Sequence, residues 1–125
     1  MHEASIALNL IEAVEQRLEA QPRPRARVAA IHVRVGELAG VSTDSLDFAF
    51  ECLSAGTPLA GARLVFDLVP LTMTCGACGR TSRVEDLVFR CPACGSEDTR
   101  VSTGRELEVR TLELAEEPEV VHASN

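Results

Sequence analysis

Two C-x2-C pairs, separated by twelve residues, constrain this chain more than any other feature of its sequence. They lie in the segment CGACGRTSRVEDLVFRCPACGS and comprise Cys75, Cys78, Cys91 and Cys94. Two residues between thiolates let both sulfurs reach one ion, and the glycine after each pair relieves a tight turn so that backbone amides can point at the sulfurs. Four thiolates in a tetrahedral array suit zinc, with an iron–sulfur or rubredoxin-type iron site as the alternative.

A closed site of this kind predicts a structural module, because four protein ligands leave no coordination position for a substrate. The intervening TSRVEDLVFR is expected to form a short hairpin that brings the two pairs together, and the module is expected to offer a docking surface. The fifth cysteine, Cys52, falls within a predicted helix, where a lone thiol is most often a small buried hydrophobe. We assign it no function.

Apolar periodicity predicts a helix-and-strand domain that the cysteine module interrupts. Ser42 or Thr43 is expected to cap the second helix and Gly56 to end it. In the second strand, Leu64, Phe66 and Leu68 are expected to share one face. The predicted helices cover residues 3–20 and 45–56, and the predicted strands cover residues 28–35, 62–70 and 105–114.

The composition excludes some functions. The formal net charge is −7 and the chain contains no lysine, which argues against a nucleic-acid partner because neutralising phosphates needs clustered basic residues. The start lacks a signal-peptide pattern, and no apolar run approaches a membrane span. We therefore expect a soluble cytoplasmic protein, in which cysteines bind metal more often than they form disulfides.

The first residues, MHE, form a second candidate metal site at the start of the first predicted helix. The free amine of Met1, the amide nitrogen of His2 and Nδ1 of its imidazole can close adjacent chelate rings, and the Glu3 amide or carboxylate can complete the set. Planar nitrogen-rich ligation suits nickel(II) and also copper(II). The alternative is that His2 lies unliganded on a solvent-exposed terminus. His32, on the polar face of a strand, and His122, in the tail, have no local support as ligands.

The chain resembles the HypA/HybF family of nickel metallochaperones for [NiFe]-hydrogenase maturation. The segments that carry the resemblance are the MHE start, VRVGELAGV, LDFAFECLSAGTPLAGARL, the paired CxxC module and STGRELEVRTLEL. The resemblance runs from residue 1 to about 114. It implies nickel ligands in Met1, His2 and Glu3, and a structural Zn(II) in the two CxxC pairs. It also implies an α+β fold with two helices packed on a three-stranded mixed sheet and an inserted four-cysteine zinc-ribbon module.

The implied domains are a nickel-binding domain of residues 1–72 and 104–114, a zinc-binding insertion of residues 73–103, and a flexible acidic tail of residues 115–125. The implied partners are a HypB-type GTPase and the hydrogenase large-subunit precursor, with urease as a further client in some members. Two features depart from the family. Ser42 stands where some members carry an acidic residue, with Asp44 two residues later, and no histidines flank the zinc cysteines.

The sequence thus predicts a cytoplasmic carrier of Ni(II) and not an enzyme. The main alternative is a zinc-ribbon interaction protein in which MHE is an ordinary start. A zinc hydrolase is a weaker alternative, because it needs three protein ligands and an open position. A homodimer through a strand edge or an exchanged module is compatible with the sequence.

Overall fold

The computed structural model describes residues 2–20 and 27–115. The described chain forms two helices and six strands, in two sheets of order β2-β1-β6 and β4-β3-β5. The predicted α+β class, with two helices, a three-stranded sheet and an inserted cysteine module, is confirmed. In chain order the elements are α1 (Glu3–Glu19), β1 (Arg27–Gly36), α2 (Thr43–Ser54), β2 (Arg63–Val69), β3 (Thr72–Cys75), β4 (Thr81–Arg83), β5 (Thr99–Thr103) and β6 (Leu107–Ala115).

The described chain divides into two compact units, of which the first comprises residues 2–20, 27–33, 41–66 and 109–115. In this unit α1 packs against α2. The helical spacing of apolar residues in α1 becomes a buried face, and α2 adds Leu46 and Phe50, which are almost fully buried. In β1 the predicted alternation is confirmed, because Ile31 and Val33 are fully buried.

The ends of α2 follow the predicted signals. The Ser42 hydroxyl accepts a hydrogen bond from the Ser45 amide at 3.2 Å, which satisfies one of the amides that lack a partner in a first helical turn. At the other end Gly56 has a φ of +81°, a left-handed conformation that glycine adopts without steric cost. The helix therefore begins and ends near the predicted residues.

The second unit comprises residues 34–40 and 67–108 and contains all four clustered cysteines. Its small core is formed by Leu71, Met73 and Val84, with Val101 packed against them. The turn after β1 ties this unit together. The Glu37 carboxylate accepts the Leu71 amide at 2.6 Å and the Arg83 guanidinium at 3.5 Å, and a Cβ added to Gly36 would collide with the Gly104 carbonyl.

The predicted second strand is present, with Leu64 and Phe66 half-buried and Leu68 70% exposed. Two local predictions are wrong. Cys52, which was expected to be buried, is exposed. Residues 81–90 do not form a hairpin of their own. Instead β4 pairs antiparallel with β3 across the first cysteine turn, and β5 pairs with the other edge of β3. The hairpin thus encloses one CxxC pair, because Cys75 ends the strand that β4 pairs with.

Other predictions concern residues that lie outside the part of the chain that the structure describes. Residues 21–26 and 116–125, including His122 and nearly all of the predicted tail, lie outside the described residues, as does Met1. The predicted domain limits of 73–103 stay a prediction. Neither of the two described helices is both long enough and apolar enough to cross a membrane.

Candidate metal centres

The four cysteines that the sequence singled out come together. The sulfur atoms of Cys75, Cys78, Cys91 and Cys94 all lie within 4.8 Å of one another, and both the Cys75–Cys94 and the Cys78–Cys91 sulfur pairs are 3.6 Å apart. In a tetrahedral site with metal–sulfur bonds of about 2.3 Å, the sulfurs are separated by about 3.8 Å. The cluster therefore has the size that one tetrahedral metal ion requires.

Backbone amides surround the first cysteine pair as the glycine spacing predicted. The amides of Ala77 and Cys78 point at the Cys75 sulfur, at 3.3 and 3.4 Å, and the Gly79 amide donates to the Cys75 carbonyl at 2.9 Å. Gly79 has a φ of +79°, so a side chain at this position would be strained. This arrangement stabilises negative charge on the sulfur.

The second pair repeats this turn. The Gly95 amide donates to the Cys91 carbonyl at 2.8 Å, and Gly95 has a φ of +77°. The two pairs come from separate parts of the chain, since the first begins at the last residue of β3 and the second precedes β5. Pairing of β5 with β3 therefore brings the two halves of the site together.

The ionisation of the cluster is uneven. Hydrogen bonds from the Cys94 and Ala93 amides lower the pKa of Cys91 to about 6, and the Cys78 amide lowers the pKa of Cys75. The Ser96 amide acts in the same direction on Cys94, but the neighbouring sulfurs, beginning with Cys75, and burial together raise its pKa to about 11. Four thiolates this close repel one another, so full ionisation needs a cation among them.

The second candidate site lies where α1 begins. His2 is the exposed N-cap residue, with an extended backbone (φ −92°, ψ 104°), and its carbonyl accepts the amides of Ser5 and Ile6 at 3.1 and 3.3 Å. The first turn of α1 therefore fixes the backbone of His2, while its imidazole stays accessible. Met1, the third residue of the predicted set, is outside the described residues.

Glu3 connects this terminus to the second helix. Its carboxylate accepts a hydrogen bond from the Ser42 amide at 3.1 Å. This bond and the Glu3 amide itself lower the pKa of the Glu3 carboxyl below its ordinary value. Ser42, which departs from the acidic residue of some family members, therefore contributes a backbone donor to Glu3 and a side-chain cap to α2.

A shallow groove of about 460 Å³ runs past the terminus. His2 and Glu3 line it together with residues of α2, among them Phe48, Cys52 and Leu53. Phe48 is 68% exposed, and the thiol that sequence reasoning expected to be buried faces this groove. The sequence could not predict that Cys52 is exposed, because the exposure of a helical residue at the edge of an apolar stripe depends on how the two helices pack.

The remaining described histidine, His32, contacts a residue distant in sequence, which the sequence did not reveal. His32 Nε2 lies 2.5 Å from a carboxylate oxygen of Glu113. The residues are 81 positions apart, in β1 and β6, which are neighbours in the sheet. The contact gives the His32 imidazole a carboxylate partner within the sheet.

The fold and the cysteine cluster together define a small α+β protein with an inserted four-cysteine module suited to a metal ion. A protein-family model described as "Hydrogenase/urease nickel incorporation, metallochaperone, hypA" matches residues 1–114. The chain therefore belongs to the HypA family of nickel metallochaperones.

Named relatives agree with this family. The hydrogenase maturation factor HypA of Roseiflexus sp. (strain RS-1) is 42% identical over 125 residues, which cover 99% of this chain and 100% of that protein. The hydrogenase maturation factor HypA of Geobacter sulfurreducens is 40% identical over 114 residues, covering 91% of this chain and 99% of that protein.

Solved structures agree on the fold. The solution structure of the Ni metallochaperone HypA from Helicobacter pylori superposes with a TM-score of 0.64 at 22% identity, covering 94% of this chain and 100% of that one. A second solution structure, of a HypA protein, gives a TM-score of 0.69 at 22% identity and covers 92% and 97%. At this identity the similarity concerns the fold alone.

Proposed function

We propose that this protein binds Ni(II) at its N-terminus and delivers it for the maturation of [NiFe]-hydrogenase. The observation that carries the proposal is the exposed His2 at the start of α1, followed by a Glu3 whose carboxylate is bonded to Ser42. A histidine backbone fixed by the first helical turn, with a free imidazole, is well suited to planar nitrogen ligation, which nickel(II) favours. Delivery to hydrogenase is supported by the relatives, which are named hydrogenase maturation factors.

In the proposed site the ligands are the amine of Met1, the amide nitrogen and Nδ1 of His2, and the amide nitrogen of Glu3. We assign the Glu3 carboxylate a positioning role, because its bond to the Ser42 amide ties the terminus to α2. An exposed terminal chelate also suits a carrier. A receiving protein can displace its ligands one at a time, whereas a closed cage would hold the metal too firmly.

We assign Zn(II) to the cluster of Cys75, Cys78, Cys91 and Cys94. The sulfur separations of 3.6 Å and the amide donors around Cys75 support a four-thiolate tetrahedral site. Bound there, zinc supplies folding energy to a unit whose apolar core is small. It takes no part in chemistry, since all four positions are filled by protein.

The proposed partners are a HypB-type GTPase and the large-subunit precursor of [NiFe]-hydrogenase. Urease is a further proposed client, because the family description names it beside hydrogenase. The protein acts as a carrier and not as an enzyme, in the cytoplasm, where thiolate sites stay reduced. If the chain associates with a second copy of itself, we propose that the assembly is a homodimer.

Delivery can be tested with purified components. Nickel-loaded protein is mixed with the metal-free hydrogenase precursor in the presence of the GTPase, and hydrogenase activity is followed. The native chain should activate the precursor at a nickel concentration at which free Ni(II) does not. His2→Ala should lose this advantage, and His32→Ala, which removes the histidine paired with Glu113, should keep it. Equal activation by the native and His2→Ala chains would contradict the proposal.

A further inference from the structure

A turn in the second unit exposes three consecutive apolar side chains. Leu87, Val88 and Phe89 are 66%, 54% and 38% exposed, and they lie between the two cysteine pairs. Exposed apolar runs of this length are avoided in soluble domains unless they bind something, because they promote association. We call these three residues the apolar tip.

The backbone beneath the apolar tip is strained. Asp86 and Leu87 have φ values of +53° and +56°, and the Val88 amide donates to the Glu85 carbonyl at 3.0 Å. Two successive residues with positive φ closed by this bond have the pattern of a type I′ turn, which favours Asn-Gly. Leu87 stands where glycine would be the more stable choice, so its side chain has a use that is not local stability.

The tip is also held in place. Arg90 pairs with Glu97 at 2.8 Å, and the Thr99 hydroxyl donates to the Phe89 carbonyl at 3.1 Å. These bonds fix the arm of the turn that leads into Cys91. An apolar tip on such a support loses little conformational freedom when it binds.

Charge indicates what kind of surface fits the tip. Glu85 and Asp86 are exposed, and within the described ranges neither forms an ion pair. Among residues 85–90, all of which the structure describes, Arg90 is the one cation, and it pairs with Glu97; Arg83, just before them, pairs with Glu37. The complementary surface is an apolar pocket with Arg or Lys at its rim. The two carboxylates also disfavour an anionic membrane as the partner.

We propose that the apolar tip inserts into a basic-rimmed apolar pocket on the protein that receives the nickel. This inference rests on the proposed function. The tip and His2 belong to different compact units, so the proposed docking residues and the proposed nickel ligands come from different parts of the chain.

The test uses the purified hydrogenase large-subunit precursor as the probe, with its affinity for zinc-loaded protein measured by calorimetry. Leu87→Gly removes the most exposed tip residue and relieves the strained φ. It should keep the zinc content, keep or raise the melting temperature, and weaken precursor binding at least about tenfold, as expected for an anchoring side chain. Leu68→Ser, which changes a 70% exposed leucine of the same unit, is the matched control and should bind normally.

The two carboxylates beside the apolar tip can be tested separately. Reversing Glu85 and Asp86 to Lys should also weaken binding, and this loss should shrink as salt rises, because screening weakens charge attraction at the rim. Normal binding by Leu87→Gly would overturn the proposal, and so would an equal loss in Leu68→Ser. Loss of self-association in place of precursor binding, or loss of GTPase binding alone, would overturn it in favour of a second copy or of the GTPase.

Nickel titration of the same samples separates this inference from the proposed function. A native chain that binds nickel but not the precursor overturns the docking proposal alone. A native chain that binds the precursor through the tip but binds no nickel overturns the proposed function and leaves the docking surface with a different role.

Discussion

The Glu3 carboxylate accepts the Ser42 amide at 3.1 Å, joining two residues that lie 39 positions apart. The bond connects the first residue of α1 to the N-cap of α2. It holds the Glu3 carboxylate beside the backbone of His2, at the start of α1. The bond supports the proposal that the Glu3 carboxylate positions the terminus, and a substitution at position 3 can separate this role from ligation by the backbone.

Proline at position 3 tests the backbone role. Glu3 is the first residue of α1, where proline is tolerated, and the extended conformation of His2 suits a residue before proline. Glu3→Pro removes the amide proton and the carboxylate, whereas Glu3→Ala removes only the carboxylate. We expect Glu3→Pro to lose the planar nickel absorption band and Glu3→Ala to keep it with weaker affinity. Loss of the band in both variants to the same extent would assign the ligand to the carboxylate.

Metal content tests the cysteine cluster. Protein purified under reducing conditions should contain one zinc per chain, because the four sulfurs surround a single site. Cys75→Ser should lose this zinc together with the folded state of the second unit, as seen by loss of amide-exchange protection around Met73. Cys52→Ser, which changes the exposed thiol outside the cluster, should keep both. Iron in place of zinc would correct the metal, and an unchanged metal content in Cys75→Ser would contradict the site.

Glu37 is expected to stabilise the second unit. In Glu37→Ala the amide of the buried Leu71 loses its acceptor, which should lower the free energy of unfolding by about 1–3 kcal/mol. Glu97→Ala breaks an exposed pair with Arg90 and should change it by less than about 1 kcal/mol. Chemical denaturation of zinc-loaded protein measures both. Equal effects would show that the bond to Leu71 adds nothing beyond a surface ion pair.

Glu106 should make stability depend on acid pH. Its own amide and that of Gly104 hold the pKa of the Glu106 carboxyl below its ordinary value of 4.5. A carboxyl with a lowered pKa in the folded state stabilises that state above pH 4.5 and loses this contribution as pH falls through the folded-state pKa. The melting temperature of Glu106→Gln should therefore fall less steeply below pH 4.5 than that of the native chain. Parallel pH profiles would contradict this account.

The sequence predicted the elements with strong periodicity and the site with fixed spacing. The bounds of α1 and β1 fall within a residue of the prediction, and the CxxC spacing identified all four clustered sulfurs. In these segments the local sequence determines the structure. Helical or alternating burial follows the spacing of apolar residues, and the tight turn of a CxxC pair is formed by residues adjacent in sequence.

The errors and omissions share a different cause. Exposure of Leu68 and Cys52 depends on which elements cover them. The bonds of Glu37 to Leu71 and of Glu3 to Ser42 join residues 34 and 39 positions apart. Contacts of this kind arise from tertiary packing, for which a single sequence contains no periodic signal. The strained turn at Asp86 and Leu87 was missed for a related reason, since Asp-Leu is not a residue pair typical of that turn.

The most direct test of the central claim is a nickel titration of zinc-loaded protein with its native N-terminus, beside His2→Ala and a form with residues added before Met1. The account predicts that the native protein binds one Ni(II) and that both altered forms lose it. Binding of similar affinity in all three would contradict it. The metal would then lie elsewhere, and the zinc-ribbon interaction protein would become the better description.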